Sequence, residues 1–188
     1  NLPFVTGAQN SLEKVYRDKY WFKGEFVDHV EVSCARNEYE SFQFTIIPNM
    51  NAPLAGVTLA FSDLTHDKKG ARIEKKNISS WIVGYVKTED TILPEFTGEW
   101  PDPLLKRESF DIPEGELRVV WVEVYVPPTS PPGDYSGYIT ISASGFPDME
   151  FAVRLRVHTF TLPEEQVFRT CTWVFPEPLA ARYGRDAE

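Results

Sequence analysis

The chain has 188 residues and carries 28 Asp plus Glu against 19 Lys plus Arg, a net charge of −9. That balance, with no basic run, excludes a nucleic-acid partner, and no apolar stretch approaches the ~18 residues of a membrane span. A hydrophobic fraction of 42% with 14% aromatics excludes a disordered chain, and a chain of this size buries about 70% of its unfolded surface, enough to fold without a disulfide or metal.

Taken in order, residues 11–16 (SLEKVY) suggest a first edge strand, and Tyr20-Trp21-Phe22 an aromatic cluster, either a packing platform or a sugar-stacking surface. Val30, Val32 and Cys34 alternate with Glu31 and Ser33, so 27–34 reads as a strand, and Ala35-Arg36-Asn37 as a turn. From Glu38 to Ile47, Phe42, Phe44 and Ile46 share one face and Ser41, Gln43 and Thr45 the other. Val57, Leu59 and Phe61 mark a further strand, residues 71–78 a weak one around Ile73, and Trp81, Val83 and Tyr85 another. Glu89 to Glu116 holds Pro94, Pro101, Pro103 and Pro113 and reads as a long irregular segment, of a length that is uncommon without function.

Leu117 to Ile141 then reads as a β-hairpin: a strand, a connection with Pro127, Pro128, Pro131 and Pro132, and a second strand restarted by Gly133-Asp134. Val120, Val122, Val124 and Val126 share one face; Val119, Trp121 and Tyr125 share the other, with only Glu123 polar among them. A strand apolar on both faces is covered on both sides, and each such side chain, fully buried, contributes roughly 1.5–3 kcal/mol. The inner valines need only an opposite sheet. The outer face calls for a second cover, either the 89–116 segment or a further domain. Met149, Phe151, Val153, Leu155 and Val157 form the clearest one-sided strand. After Thr161-Leu162-Pro163 the pattern changes to a short apolar segment, Phe168 to Phe175, and a helix opening near Pro178.

These patterns predict an all-β, immunoglobulin-like antiparallel sandwich over residues 1–162. Residues 163–188 read as the start of a different domain, strand then helix. Asn1 in place of Met implies either a cleaved signal peptide or a boundary upstream. Cys34 and Cys171 are expected as two isolated buried thiols rather than a pair.

Five phrases in this order resemble one family: residues 11–15 (SLEKV), 35–43 (ARNEYESFQ), 100–105 (WPDPLL), 132–137 (PGDYSG) and 161–163 (TLP). Together they are similar to the N-terminal sandwich of the bacterial secreted proteins that include the β-N-acetylgalactosaminidases of glycoside hydrolase family 123. The resemblance implies that a TIM-like barrel follows in the same polypeptide, with 163–188 as its truncated start and its first strand near Arg169 to Phe175. It implies a secreted, periplasmic or cell-surface location. It also implies that the catalytic Asp-Glu pair lies beyond Glu188, so no catalytic residue is assigned here.

The residues agree with that last point. A glycosidase needs two carboxyl groups, or one acid and a substrate amide. Glu89 and Asp90 are adjacent and point apart on a strand; Glu38 and Glu40 share a face and read as structural. His29, His66 and His158 lack metal-ligand spacing, so no metal or cofactor is expected. Asp102, held between Pro101 and Pro103, is read as a loop cap, an interface residue or a ligand contact. Trp100, Asp102, Trp121 and Tyr125 are the candidates for interface or ligand contact. The expected role is an accessory, non-catalytic domain bracing the barrel. The alternatives are a carbohydrate-binding module using Trp21, Trp81 and Trp100, or a sandwich with no sugar role.

Overall fold

In the computed structural model, the described residues are 2–49, 52–68, 70–88, 98–165, 170–171, 173 and 175–184. Twelve strands among them form two sheets. Sheet A has the order β1 (Phe4–Gln9), β3 (Glu38–Pro48), β10 (Arg118–Val126), β7 (Ile78–Lys87), β8 (Glu99–Leu105). Sheet B has the order β2 (His29–Arg36), β12 (Met149–Thr161), β11 (Gly133–Ser142), β4 (Leu54–Phe61), β9 (Ser109–Ile112); β5 (Leu64–His66) pairs with β11 and β6 (Arg72–Ile73).

The sandwich is as expected. Alternating side chains from both sheets meet in one core, with Phe44 of β3 stacked on Phe151 of β12 at 4.8 Å. Val120, Val122, Val124 and Val126 are fully enclosed there, and so are Phe151, Val153, Leu155 and Val157. One ladder is not antiparallel: β2 runs parallel to β12, Val30 opposite Val153 and Cys34 opposite Val157. The chain crosses from β2 to β3 at Asn37, which takes φ 60°, a left-handed value that Asn tolerates. That crossing puts β2 and β3 in different sheets, so β2 finds its partner late in the sequence.

The 117–141 stretch is not a hairpin. β10 sits in sheet A between β3 and β7, and β11 sits in sheet B between β12 and β4. The Pro127–Pro132 connection therefore spans the sandwich. Gly133 follows it with φ 143°, and a β-carbon there would lie 2.5 Å from the buried His66 ring. The ring accepts from the Lys68 amide at Nδ1 and lies 3.2 Å from the Pro132 carbonyl at Nε2, which pins the incoming loop.

Three further expectations are corrected. Residues 11–16 are not a strand; the first strand is Phe4–Gln9. The described part of 89–116 is not irregular, since β8 and β9 lie in it, and prolines 101 and 103 are accommodated because β8 is an edge strand. The weak strand at 71–78 shrinks to β6 and a 3-10 turn, Lys75–Asn77. A helix, Pro176–Tyr183, stands where one was expected, with Pro in its first turn. Half of the apolar segment before it, and all of Glu89-Asp90, fall outside the described residues. Cys34 is buried and Cys171 exposed, both as free thiols, so only one matches the expectation.

Candidate functional surfaces

The outer face of sheet A is divided. Its lower half, near the start of β10, is covered by residues 10–24, which leave β1 and return to it. The Ala8 amide donates to the Glu25 carbonyl at 2.9 Å and the Glu25 amide back at 3.2 Å, closing the excursion. The Phe22 ring is wedged against two glycines: a β-carbon on Gly7 or Gly24 would sit 2.6 or 2.5 Å from it. The loop is strapped across the whole sheet. Gln43 Nε2 of β3 donates to the Asn10 and Glu13 carbonyls at 2.6 and 2.7 Å. Tyr85 Oη of β7 donates to the Val15 carbonyl, and Lys14 Nζ reaches the Pro101 carbonyl of β8. Burial pushes the Tyr85 phenol above its ordinary range, so it remains a donor.

Under this loop Val15, Ile47, Val83, Leu117 and Val119 form a second small core, with Phe22 and Trp121 packed against it. The second cover expected for the outer face thus exists, and it is neither of the two anticipated. At this level the covering element is the N-terminal loop.

The upper half has no such covering loop among the described residues. Tyr125 stacks on Tyr39 of the neighbouring strand at 4.6 Å, and Tyr39 is 63% exposed. Tyr125 Oη donates to Asn37 Oδ1 at 2.8 Å. The chain leaves the sandwich at this end: the Leu162 amide donates to the Arg36 carbonyl, Asn37 Nδ2 to the Leu162 carbonyl, and Arg36 to the Thr159 carbonyl. Phe160, 56% exposed and stacked on His158, adds to the apolar surface beside the exit.

The four sequence candidates are therefore not brought together. Tyr125 lies at the exit end and Trp121 midway, opposite Trp81. Trp100 and Asp102 lie on edge strand β8, Trp100 toward the far end; Asp102 is an exposed strand residue, not a loop residue. From Arg118 to Val126 the strand spans roughly 25 Å at about 3.3 Å per residue.

At that far end sequence reasoning found the aromatics but not their partners. The 3-10 turn Lys19–Trp21 is capped by Asp18, whose carboxylate accepts from the Tyr20 amide at 2.9 Å. Tyr16 meets Trp21 edge-on at 6.3 Å and Trp100 edge-on at 6.0 Å. Arg17 donates to Glu116 at 2.7 Å and to Glu99 at 3.4 Å. All of these but Lys19 and Trp100 line an open hollow of about 540 Å³. Contacts between residues so distant in sequence leave no local pattern.

Glu38 and Glu40 do share a face, as read. Glu38 accepts from the Ala35 amide at 2.5 Å, a turn-closing role. Desolvation, then the Glu38 charge, raises the Glu40 carboxyl above its usual range. No group of metal-ligating side chains occurs among the described residues, and no helix there is long and apolar enough to cross a membrane.

Among solved structures, a family 123 glycoside hydrolase from Clostridium perfringens, described for its hydrolysis of glycolipid glycans, superposes with a TM-score of 0.74 at 18% identity; the match covers 85% of this chain and 28% of that one. The chain thus spans little more than a quarter of that protein's length. A PapD-like domain of human CEP192 (TM-score 0.43, 9% identity, 84% of this chain and 89% of that one) and the CooA pilin subunit of enterotoxigenic Escherichia coli (0.42, 11%, 85% and 99%) resemble it only distantly. No curated protein sequence matches significantly. The family model for the glycoside hydrolase 123 N-terminal domain matches residues 23–143, well over half of the sequence, and the chain belongs to that family.

Proposed function

We propose that this domain is the non-catalytic accessory part of a secreted or cell-surface bacterial glycoside hydrolase, and that it braces the catalytic barrel that follows it. Membership of the family implies a catalytic domain in the same polypeptide. The observation that carries the bracing role is the placement of the exit. The chain departs at Leu162, tied by Asn37, and the same Asn37 holds Tyr125 under an exposed Tyr39. This exit is what supports placing the next domain beside the aromatic pair. Burying both rings there would stabilise the pairing of domains by roughly 25 cal/mol per Å² of apolar surface removed from water.

Catalysis itself is assigned to the barrel. An N-acetylgalactosaminide whose own 2-acetamido group attacks is the substrate class that the family resemblance suggests for the parent protein. Within this chain Glu38, which shares a face with Glu40, is engaged with the backbone of its own turn.

The test uses the complete protein. Tyr39→Ser combined with Tyr125→Ser should lower the melting temperature of the barrel and the fraction of active enzyme, with KM nearly unchanged. Unaltered barrel melting and unaltered turnover would overturn the bracing role.

A further inference from the structure

The hollow at the end away from the exit has no part in bracing, yet it is lined by large aromatics that a structural role alone would enclose. Tyr20 is 76% exposed and Trp21 53% exposed. Neither ring is loose. The turn that carries them is fixed by the Asp18 cap, by the Lys19 amide on the Gly115 carbonyl, and by the Leu117 amide on the Arg17 carbonyl. Tyr16 supports Trp21 from the side, and Lys19 Nζ lies 5.3 Å from the Tyr20 ring. The strap that covers the second core therefore presents two aromatic rings outward, on a turn set by main-chain bonds to β10 and its approach.

Polar groups complete the hollow. Glu116 accepts from Arg17 through Oε2, and Glu99 through the same type of oxygen at longer range. Glu116 Oε2 also lies 3.7 Å from the Arg118 guanidinium, and each carboxylate keeps lone-pair capacity beyond these contacts, because an ionised carboxyl offers about four acceptor sites. Asp18 and Glu114 add two more carboxylates to the wall. Against these four stand Arg17 in the wall, Lys19 beside it and Arg118, 3.7 Å from Glu116, so the hollow keeps one carboxylate in excess.

We infer that this hollow is a binding subsite for a neutral glycan, with a pyranose ring lying on Trp21 and Tyr20 and its hydroxyls donating to Glu99 and Glu116. The C–H face of a sugar is polarised positive and meets the negative face of an aromatic ring. Hydroxyl donors to an ionised acceptor make the stronger class of hydrogen bond. The excess of carboxylates selects against sialylated, sulfated or phosphorylated ligands, whose charge would lie among like charges in a partly desolvated wall. The 540 Å³ volume falls in the range of small-molecule sites. Its openness to solvent suits a chain that continues past the subsite.

The experiment is a titration of the 188-residue chain with lactose, chitobiose and methyl N-acetyl-β-galactosaminide, followed by the backbone-amide resonances of residues around the hollow and, where Trp21 is present, by its indole resonance, with sialyllactose as the charged counterpart of lactose. At least one neutral ligand should give saturable shifts with a dissociation constant on the order of 1 mM. Trp21→Ala and Tyr20→Ala should each weaken it at least about tenfold. Both side chains are more than half exposed, so both variants should fold, and Trp81→Phe, midway along the sheet and outside the hollow, should bind as the parent does. Sialyllactose should bind at least about tenfold more weakly than lactose. Absence of saturable shifts with all three neutral ligands overturns the inference. So does binding that survives both aromatic substitutions, or sialyllactose binding as well as lactose. The bracing role is read at the opposite end of the sheet, and its failure would leave these outcomes unaltered.

Discussion

The two halves of the outer face of sheet A share strands, length and alternation, and they differ in what lies on them. Around Val119 the face is sealed by a loop from the same domain, and Val119 and Leu117 are completely enclosed. Around Tyr125 the same face ends in a tilted tyrosine pair, Tyr125 half-buried and Tyr39 open to solvent. An apolar residue facing outward is thus no guide by itself to a missing partner. Valine and leucine there mark a cover supplied within the domain. Tyrosines, with a polar tip and a broad ring, occupy the part that is wet in this chain.

The comparison can be broken most forcefully at its sealed half. Leu117→Ala should destabilise the 188-residue chain by about 2–5 kcal/mol, the range for deleting a fully enclosed leucine, as measured by urea denaturation. A loss under about 1 kcal/mol would mean that the loop rides on the sheet without forming a core. Next comes the closure of the loop. Gly24→Ala drives a methyl group into the Phe22 ring and the Ala8 carbonyl, and should cost about 1–3 kcal/mol, with faster hydrogen exchange at the Gln43 side-chain amide as a local readout. At the open half the expected effects are smaller. Tyr125→Phe removes one hydrogen bond to Asn37 and should cost about 1 kcal/mol, whereas Tyr39→Ser should stay within about 0.5 kcal/mol in this chain. A large loss at Tyr39 would abolish the contrast between the halves.

The smallest effect concerns the inner side of β3 at the same end. The Glu40 carboxyl is raised by desolvation and by Glu38. A raised carboxyl favours the folded state while protonated, and that contribution fades as pH rises through the raised value. Glu40→Gln should therefore raise the urea midpoint slightly at neutral pH. The gain should vanish as pH falls below the ordinary glutamate value of 4.5. A gain independent of pH would point to packing instead of charge.

Much of this fold is legible in the sequence, because period-two alternation identifies a strand and its buried face wherever one sheet packs on another. Phe42, Phe44 and Ile46, and Phe151 through Val157, point inward as their spacing requires. What alternation cannot give is the sheet to which a strand belongs. β10 and β11 are consecutive and both apolar, yet they lie in opposite layers. The clue lay in the connection. Pro127 to Pro132 is longer and stiffer than the two to five residues of an ordinary hairpin loop. The parallel pairing of β2 with β12 was hidden for a related reason, since a left-handed residue at Asn37 sends the chain across the sandwich. Of the far hollow, the aromatic cluster Tyr20-Trp21-Phe22 was visible, whereas Tyr16 read as part of an edge strand. The Arg17 contacts to Glu99 and Glu116 join residues 82 and 99 positions apart, beyond any local signal.

The exit strand has a mechanical consequence. β12 is paired along its length with β11 on one side and β2 on the other, and the tether leaves from its end. Ladder hydrogen bonds run across the strand axis. A pull transmitted from the following domain therefore acts along β12 and loads both ladders in shear, so many bonds must give way together. The same pull on an edge strand at right angles would unzip them one at a time. The exit strand is thereby built to resist traction along its own axis.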